Sequence, residues 1–427
     1  MFPEGMKAFL LGAGASVDAG LPTSVRLTRL IADHIDEKSR YSGQSRILHA
    51  VIGAMIRHDT ANSGSAFDGV DVERVFAAVT TLAKRESLDL AAFVDSWDRN
   101  LDGIDDSGRT RSAFWDKHLH EAVVGRSRYG RAEREPGSQS ELKRAFEDGV
   151  KAVVGDRLNK PDSGPLLDRL AAAMLNALIN ILEVDPSSVG YLAPLVTTPD
   201  LAGIATLNYD LSVEHAIEAA GLSCTTGLDL WTGGYDWDWG TSDDIRLLKL
   251  HGSLDYLLGS ESPTVTTNNY RVNGDVLMRR NDETGQGYNR QSSPALVFGQ
   301  GSKLRSDGPF LAMLVEFDRM LREADWLTVV GYSFRDEHIN AALARWVNGP
   351  KARRLTVIDL SAESWEAGGR RTTPPFLFDL LRGQKTREYP AADQDALPRS
   401  LEIDLLSVTA AEGIARLPAM FDDREGV

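Results

Sequence analysis

Gly203-Ile204-Ala205-Thr206-Leu207-Asn208-Tyr209-Asp210 is an apolar run of strand length that breaks into a carboxamide and a carboxylate. A second stretch, Ile245-Arg246-Leu247-Leu248-Lys249-Leu250-His251-Gly252-Ser253, has the same form and delivers an imidazole. Each places its polar residues where a strand ends and a loop begins. In an open α/β sheet that edge is where ligands bind.

The same signature recurs along the chain. Ala8-Phe9-Leu10-Leu11 runs into Gly12-Ala13-Gly14-Ala15-Ser16, Trp326 to Val330 into Gly331-Tyr332-Ser333-Phe334-Arg335-Asp336, and Leu355 to Ile358 into Asp359. Ala295-Leu296-Val297-Phe298 reads as a further buried strand, closed by Gly299-Gln300-Gly301. Between these runs, apolar residues take helical spacing: Leu27, Leu30, Ile31 and Ile35; Val213, Ala216, Ile217 and Ala220; Phe310, Leu314, Phe317 and Leu321; Ile339, Leu343 and Trp346. Alternating strands and helices predict an α/β fold, a Rossmann-like doubly wound parallel sheet.

Strand signals nearly vanish between about residue 40 and residue 200. Val72, Val75, Phe76 and Val79, then Leu167, Leu170, Met174, Leu178 and Ile181, keep helical spacing. The expected organisation is an α/β domain from residues 1–39 and 196–361, a large helical insertion over 40–195, and an extension over 362–427. From Arg126 to Arg144 six basic residues stand against three glutamates. That stretch reads as a solvated connection, with a polynucleotide contact as the alternative. Asn273-Gly274, between two short apolar runs, predicts a hairpin. Trp231, Tyr235, Trp237 and Trp239 suit the aromatic packing of a long loop, and a cofactor-covering flap is the alternative.

Composition narrows the class. The chain has 427 residues, 42% of them hydrophobic and 26% charged, and no apolar run of membrane-spanning length. A net charge of −15 argues against nucleic-acid binding by the surface as a whole. One cysteine, Cys224, excludes an intrachain disulfide framework and suits a reducing cytoplasm. The N-terminus lacks the form of a signal peptide. The glycine loop alone is a weak phosphate signal, since Val17 stands where a dehydrogenase fingerprint wants a third glycine.

Taken together, Gly12-Ala13-Gly14-Ala15-Ser16, Gly20-Leu21-Pro22, Thr206-Leu207-Asn208-Tyr209-Asp210, His251-Gly252, Phe298-Gly299-Gln300 and Gly331-Tyr332-Ser333 resemble the motifs of the sirtuin superfamily. The resemblance covers residues 7–36 and about 200–360. Two departures bear on the subfamily. Sirtuin deacylases usually hold a structural zinc on four cysteines, which a single cysteine cannot supply. They also follow the first-motif proline with Asp-Phe-Arg, where this chain has Thr23-Ser24-Val25. Without these, the chain is most similar to bacterial sirtuin-like effectors that hydrolyse NAD in antiphage defence by abortive infection.

The resemblance implies NAD as substrate, no zinc, a homo-oligomer, and a HerA-like ATPase or an Argonaute-type sensor as partner. It implies nucleotide binding by Gly12, Ala13, Gly14, Ser16, Pro22, Thr206, Gly331, Ser333 and Asp359, with the pyrophosphate on backbone N–H groups of the Gly12 to Ser16 loop. It implies chemistry by Asn208, His251 and Asp210. Asn208 is suited to orient water or a ribose hydroxyl, because its amide both donates and accepts. His251 is the expected general base, with an ordinary pKa near physiological pH. Asp210 either stabilises positive charge or caps the helix that begins there. Ser333 and Asp359 either touch the adenosine ribose or cap loops. His338 is expected to pack at a helix start rather than reach the nucleotide. Two other functions stay open: a deacylase or ADP-ribosyltransferase with the same pocket, and a scaffold that binds NAD or ADP-ribose without turnover.

Overall fold

The computed structural model describes residues 5–38, 42–62, 69–84, 164–231, 236–241, 243–258, 277–279, 294–297, 309–367, 373–385 and 401–425. The chain divides into two compact units, residues 1–27 with 179–427, and residues 28–178.

The first unit is built on a seven-stranded parallel sheet. Its strands are β1 (Lys7–Leu11), β2 (Leu201–Thr206), β3 (Cys224–Thr225), β4 (Ile245–Lys249), β8 (Trp326–Val330), β9 (Arg353–Ile358) and β10 (Leu401–Leu406), in the order β10-β9-β8-β1-β2-β4-β3. β1 is buried along its whole length, as an interior parallel strand covered on both faces must be. Because side chains alternate, Ala8 and Leu10 enter one core while Phe9 and Leu11 enter the other. On the Leu10 face pack α7 (Phe310–Glu323), α8 (Glu337–Val347), α9 (Ala362–Ala367) and α10 (Pro375–Lys385), through Phe317, Leu343, Trp365 and Leu377. On the Phe9 face pack the 3-10 turn Pro186–Leu192, α5 (Ala193–Val196), α6 (Ser212–Ala219) and α11 (Ala410–Glu425), through Leu192, Val196, Ile217 and Phe421. The doubly wound fold expected from the sequence is the one observed.

The strands end level. Leu11 is in register with Thr206 and Val330, Thr206 with Lys249, Val330 with Ile358, and Ile358 with Leu406. All the polar strand ends of the sequence therefore emerge along one edge. From β1 the chain proceeds outward to β2 and β4. From β8, on the other side of β1, it proceeds outward to β9 and β10. The switch point, where ligands sit in sheets of this kind, lies between the loops after β1 and β8.

Two expectations need correction. The apolar run at Ala295 does not join the parallel sheet. Pro294–Leu296 (β7) pairs antiparallel with β5 (Gly252–Leu258), which also pairs with β6 (Leu277–Arg279) in a separate three-stranded sheet. A short apolar run is equally at home in either kind of sheet, so composition did not separate them. The C-terminal stretch is also more than an appendage, since β10 extends the main sheet and α11 covers it. The Asn273-Gly274 hairpin, Phe298 with Gly299-Gln300-Gly301, Tyr235 and the basic stretch from Arg126 to Arg144 lie outside the described residues.

The second unit contains α2 (Ser42–Ala61) and α3 (Val72–Ala83), with most of α1 (Ser24–Asp36) and α4 (Gly164–Ile181). Asp71 caps α3, accepting from the Glu73 N–H at 2.8 Å, and Val72, Val75, Phe76 and Val79 are buried as their spacing predicts. Arg74 holds Asp59 through two hydrogen bonds of 2.7 and 2.9 Å, tying α3 to α2. No helix among the described residues is long and apolar enough to cross a membrane.

Candidate functional site

The loop after β1 is a 3-10 turn, Ala13–Ser16. Its geometry explains its glycines first by packing. A Cβ on Gly12 would stand 2.6 Å from the Gly331 carbonyl oxygen, and one on Gly14 would stand 2.6 Å from the Gly331 Cα. Gly331 itself has φ +60, and its own Cβ would fall 2.3 Å from the Ala15 nitrogen. The loops after β1 and β8 thus touch backbone to backbone at the switch point, which only glycine allows.

Hydrogen bonds complete that junction. The Gly12 N–H donates to the Val330 carbonyl and the Gly14 N–H to the Gly331 carbonyl, both at 2.9 Å. The Ala15 N–H donates to the Gly12 carbonyl at 2.9 Å. Three of the N–H groups expected to cradle a pyrophosphate are therefore engaged inside the fold. Ala13 is exposed, and its N–H has no partner among the described residues. In a trans peptide the C=O and the following N–H point in opposite directions. With the Gly12 carbonyl drawn inward, the Ala13 N–H is directed away from those bonds.

Asn208 performs part of that drawing inward. Its Nδ2 donates to the Gly12 carbonyl at 2.9 Å and to Ser16 Oγ at 3.0 Å. A carbonyl can only accept, so the atom facing Gly12 is the amide nitrogen. Both of its hydrogens are engaged, which leaves Oδ1 as the group free to act on a ligand, as an acceptor. The Asn208 N–H in turn donates to Thr206 Oγ1 at 3.0 Å, and the Thr206 carbonyl accepts from the Leu250 N–H at 3.0 Å. Thr206 and Ser16 are buried. Pro22 is buried just before α1, beyond Leu21, whose N–H bonds the Ser16 carbonyl at 3.2 Å.

Asp210 is buried, and its Oδ1 accepts from the Ser212 N–H at 3.0 Å at the start of α6. It satisfies the first N–H of that helix from one residue before its N-cap, Leu211, and its charge is felt nearby, on Tyr191. The Tyr191 hydroxyl donates to the Ala15 carbonyl at 2.5 Å, clamping the glycine loop from the turn before β2. Burial, then the charges of Asp210 and Asp18, push its phenol well above the ordinary range, so it serves as a fixed donor.

His251 follows β4 and is 1% exposed. Its carbonyl accepts from the Val297 N–H at 2.9 Å, which seats it on the small sheet. Its ring centroid lies 5.7 Å from that of His338 in the first turn of α8. His338 thus stands at the helix start, beside the His251 ring. Ser333 is exposed on the loop after β8. The next residue, Phe334, holds φ +55 and is buried. It stacks on Phe376 at 5.8 Å, and its carbonyl accepts from Asn340 Nδ2 at 2.8 Å. A non-glycine residue in that backbone region is held there by its surroundings.

Asp359 follows β9, with Oδ1 accepting from the Ser361 N–H at 2.8 Å. Burial holds its carboxyl above the ordinary range. The structure thus brings Gly12, Gly14, Ser16, Thr206, Asn208 and Gly331 into one hydrogen-bonded junction. Asp359 and His251 stand to either side of it. The strands they follow are four places apart in the order β9-β8-β1-β2-β4. At about 4.8 Å per strand that is a span of roughly 19 Å. Among the described residues, no group of three or more His, Cys, Asp or Glu is placed to hold a metal ion.

Residues 202–362 match the family model of the SIR2-like domain. The match supports a place in the sirtuin superfamily for this part of the chain. The SIR2-like stretch contains Asn208, His251, Gly331, Ser333 and Asp359, while the glycine loop after β1 precedes it. No curated protein matches the chain. Among solved structures, a Sir2 homologue mutant complexed with ADP-ribose is 12% identical, covering 99% of this chain and 93% of that one, at a TM-score of 0.34. A complex of Sir2 with a p53 peptide and NAD+ is also 12% identical, covering 98% and 94%, at a TM-score of 0.34. Overlaps this loose carry no argument, and the fold rests on the sheet topology itself.

Proposed function

We propose that this protein is an NAD glycohydrolase, cleaving NAD to nicotinamide and ADP-ribose. The observation that carries the reading is the Asn208 amide fastened to both Gly12 and Ser16 at the switch point, with His251 on the adjacent strand end. A dinucleotide laid along this edge would place its adenosine ribose toward Asp359 and its nicotinamide ribose toward His251. The Ala13 N–H and the Ser16 hydroxyl are the donors available to its pyrophosphate.

In the reaction the bond from the ribose C1′ to the nicotinamide nitrogen breaks, and nicotinamide leaves with the electron pair. A water oxygen bonds C1′ and loses a proton. Asn208 Oδ1 accepts a hydrogen bond from that water or from a ribose hydroxyl. His251 takes the proton, a role worth about 10²–10⁴ in rate. The buried carboxylate of Asp210 favours positive charge developing nearby. Water is the acceptor in this reading because the single cysteine cannot build the zinc module of the peptide deacylases.

We propose further that NAD depletion serves antiphage defence by abortive infection, in the cytoplasm, with the chain as a homo-oligomer beside a HerA-like ATPase or an Argonaute-type sensor. What supports this is the likeness of Gly-Leu-Pro-Thr, Asn-Tyr-Asp, Leu-His-Gly and Gly-Tyr-Ser-Phe-x-Asp to such effectors. The test is NAD turnover by wild type, Asn208→Ala and His251→Ala, with candidate partners and with acylated peptide. Peptide-independent loss of NAD, abolished by either substitution, is expected. Nicotinamide release that requires the peptide would transfer the assignment to a deacylase, and full turnover by His251→Ala would remove the base.

A further inference from the structure

Lys249 is the last residue of β4, two before His251, and its side chain is wholly buried. Its Nζ donates to the Asp210 backbone carbonyl at 2.5 Å and lies 2.9 Å from Glu214 Oε1 on α6. Glu214 Oε2 is buried with no hydrogen-bond partner among the described residues. Stability alone does not call for such a pair. Burying two charges is costly, and apolar residues of similar volume serve as well or better. An apolar pair cannot hold a carbonyl, however, and the carbonyl held here closes the segment that carries Asn208. The same segment is tied to β5 by the Leu254 N–H, which donates to the Tyr209 carbonyl at 3.0 Å.

We propose that Lys249 and Glu214 form a positioning pair that fixes the loop from Leu207 to Asp210, and so holds the Asn208 amide on Gly12 and Ser16. The consequence for turnover rests on the glycohydrolase reading above; the consequence for loop order does not. Burial acts against the Lys249 charge, but Glu214, Asp210 and Asp255 outweigh it and hold its pKa above the ordinary value. Burial raises the Glu214 carboxyl despite the lysine beside it. Glutamine in place of Glu214 keeps an acceptor for Nζ and should hold the loop better than alanine, which keeps none.

The experiment compares wild type with Lys249→Met/Glu214→Leu, which removes both charges together and keeps the volume filled. Amide hydrogen exchange is read at Asn208 and Leu254, against β1 and β8 as controls. Loss of protection at the Asn208 and Leu254 amides, with protection kept in the control strands, is expected. In an active preparation kcat should fall roughly 10²-fold, the scale of a small misplacement of a catalytic group, and ADP-ribose binding should weaken with it, because the same amide holds the glycine loop. Glu214→Gln and Glu214→Ala form a second arm with the lysine in place, in which Gln keeps loop protection and Ala loses it. Unchanged loop protection in the double variant, or equal protection in the Gln and Ala variants, overturns the proposal. If wild type turns over no NAD, the glycohydrolase reading falls, and the exchange data still decide the positioning role.

Discussion

Asn208→Asp separates fastening from chemistry. The substitution keeps the shape and an acceptor oxygen but removes both N–H donors, which bond Gly12 at 2.9 Å and Ser16 at 3.0 Å in the native protein. Losing the Gly12 bond costs about 1 kcal/mol, while the Ser16 hydroxyl can turn to donate to the carboxylate. The new carboxylate oxygen would also face the Gly12 carbonyl, two acceptors in contact, at a cost of about 1–3 kcal/mol. The lower end of the sum, about 2 kcal/mol, corresponds to roughly 30-fold in affinity. We therefore expect Asn208→Asp to bind NAD or ADP-ribose at least roughly 30-fold more weakly than wild type. Calorimetric titration of ADP-ribose measures this without relying on turnover. Binding should recover partly as pH falls, because the protonated acid regains one donor. Wild-type affinity in Asn208→Asp at neutral pH would refute the view that the glycine loop is held in its binding form by this amide.

Two further outcomes are expected. Tyr191→Phe removes one hydrogen bond, to the Ala15 carbonyl, and should lower stability by about 1 kcal/mol in urea unfolding; a variant as stable as wild type that binds ADP-ribose equally well would show the clamp to be idle. In the second unit, hydrogen bonds from Arg74 chiefly hold the Asp59 carboxyl down to about 2, below its unfolded value. A depressed acid contributes stability above the unfolded pKa and loses it as pH falls through the folded one. The urea midpoint of wild type should therefore decline between about pH 4 and pH 2, and that of Asp59→Asn should decline less over that window.

How far these features could be read from the sequence follows their range. β1, β2, β4, β8 and β9 announce themselves because strands buried on both faces are continuous apolar runs. β10, Leu401-Glu402-Ile403-Asp404-Leu405-Leu406, is an edge strand, and two acidic residues break its apolar run into an alternation. The alternation was present to be read, but it is a weaker signal than a continuous run. Polar strand ends marked Asn208, His251, Gly331 and Asp359 correctly as belonging to one edge, since parallel strands in register must end together. What joins them was invisible. Asn208 and Gly12 are 196 residues apart, and Tyr191 reaches Ala15 across 176, from a stretch that reads as part of a helical insertion. Lys249 did carry a local signal, a lysine at the end of a strand otherwise apolar from Leu247, where a charge is rarely buried without a partner.

The glycine loop shows why a motif and its physical cause can differ. Read as sequence, Gly12, Gly14 and the small residues between them suggest open N–H groups waiting for phosphate. In the fold, Gly12 and Gly14 lack side chains because Gly331 lies against them, and their N–H groups bond Val330 and Gly331. The glycines therefore build the junction of two loops. On the proposed reading, a pyrophosphate there would meet the Ala13 N–H and the Ser16 hydroxyl, whose oxygen already accepts from Asn208. Nucleotide binding, if the glycohydrolase reading holds, is then coupled to the placement of Asn208 through Ser16. A ligand that draws the Ser16 hydroxyl toward its phosphate polarises that oxygen and strengthens the bond it accepts from Asn208. Substrate engagement at the pyrophosphate would then tighten the residue proposed to orient water one loop away.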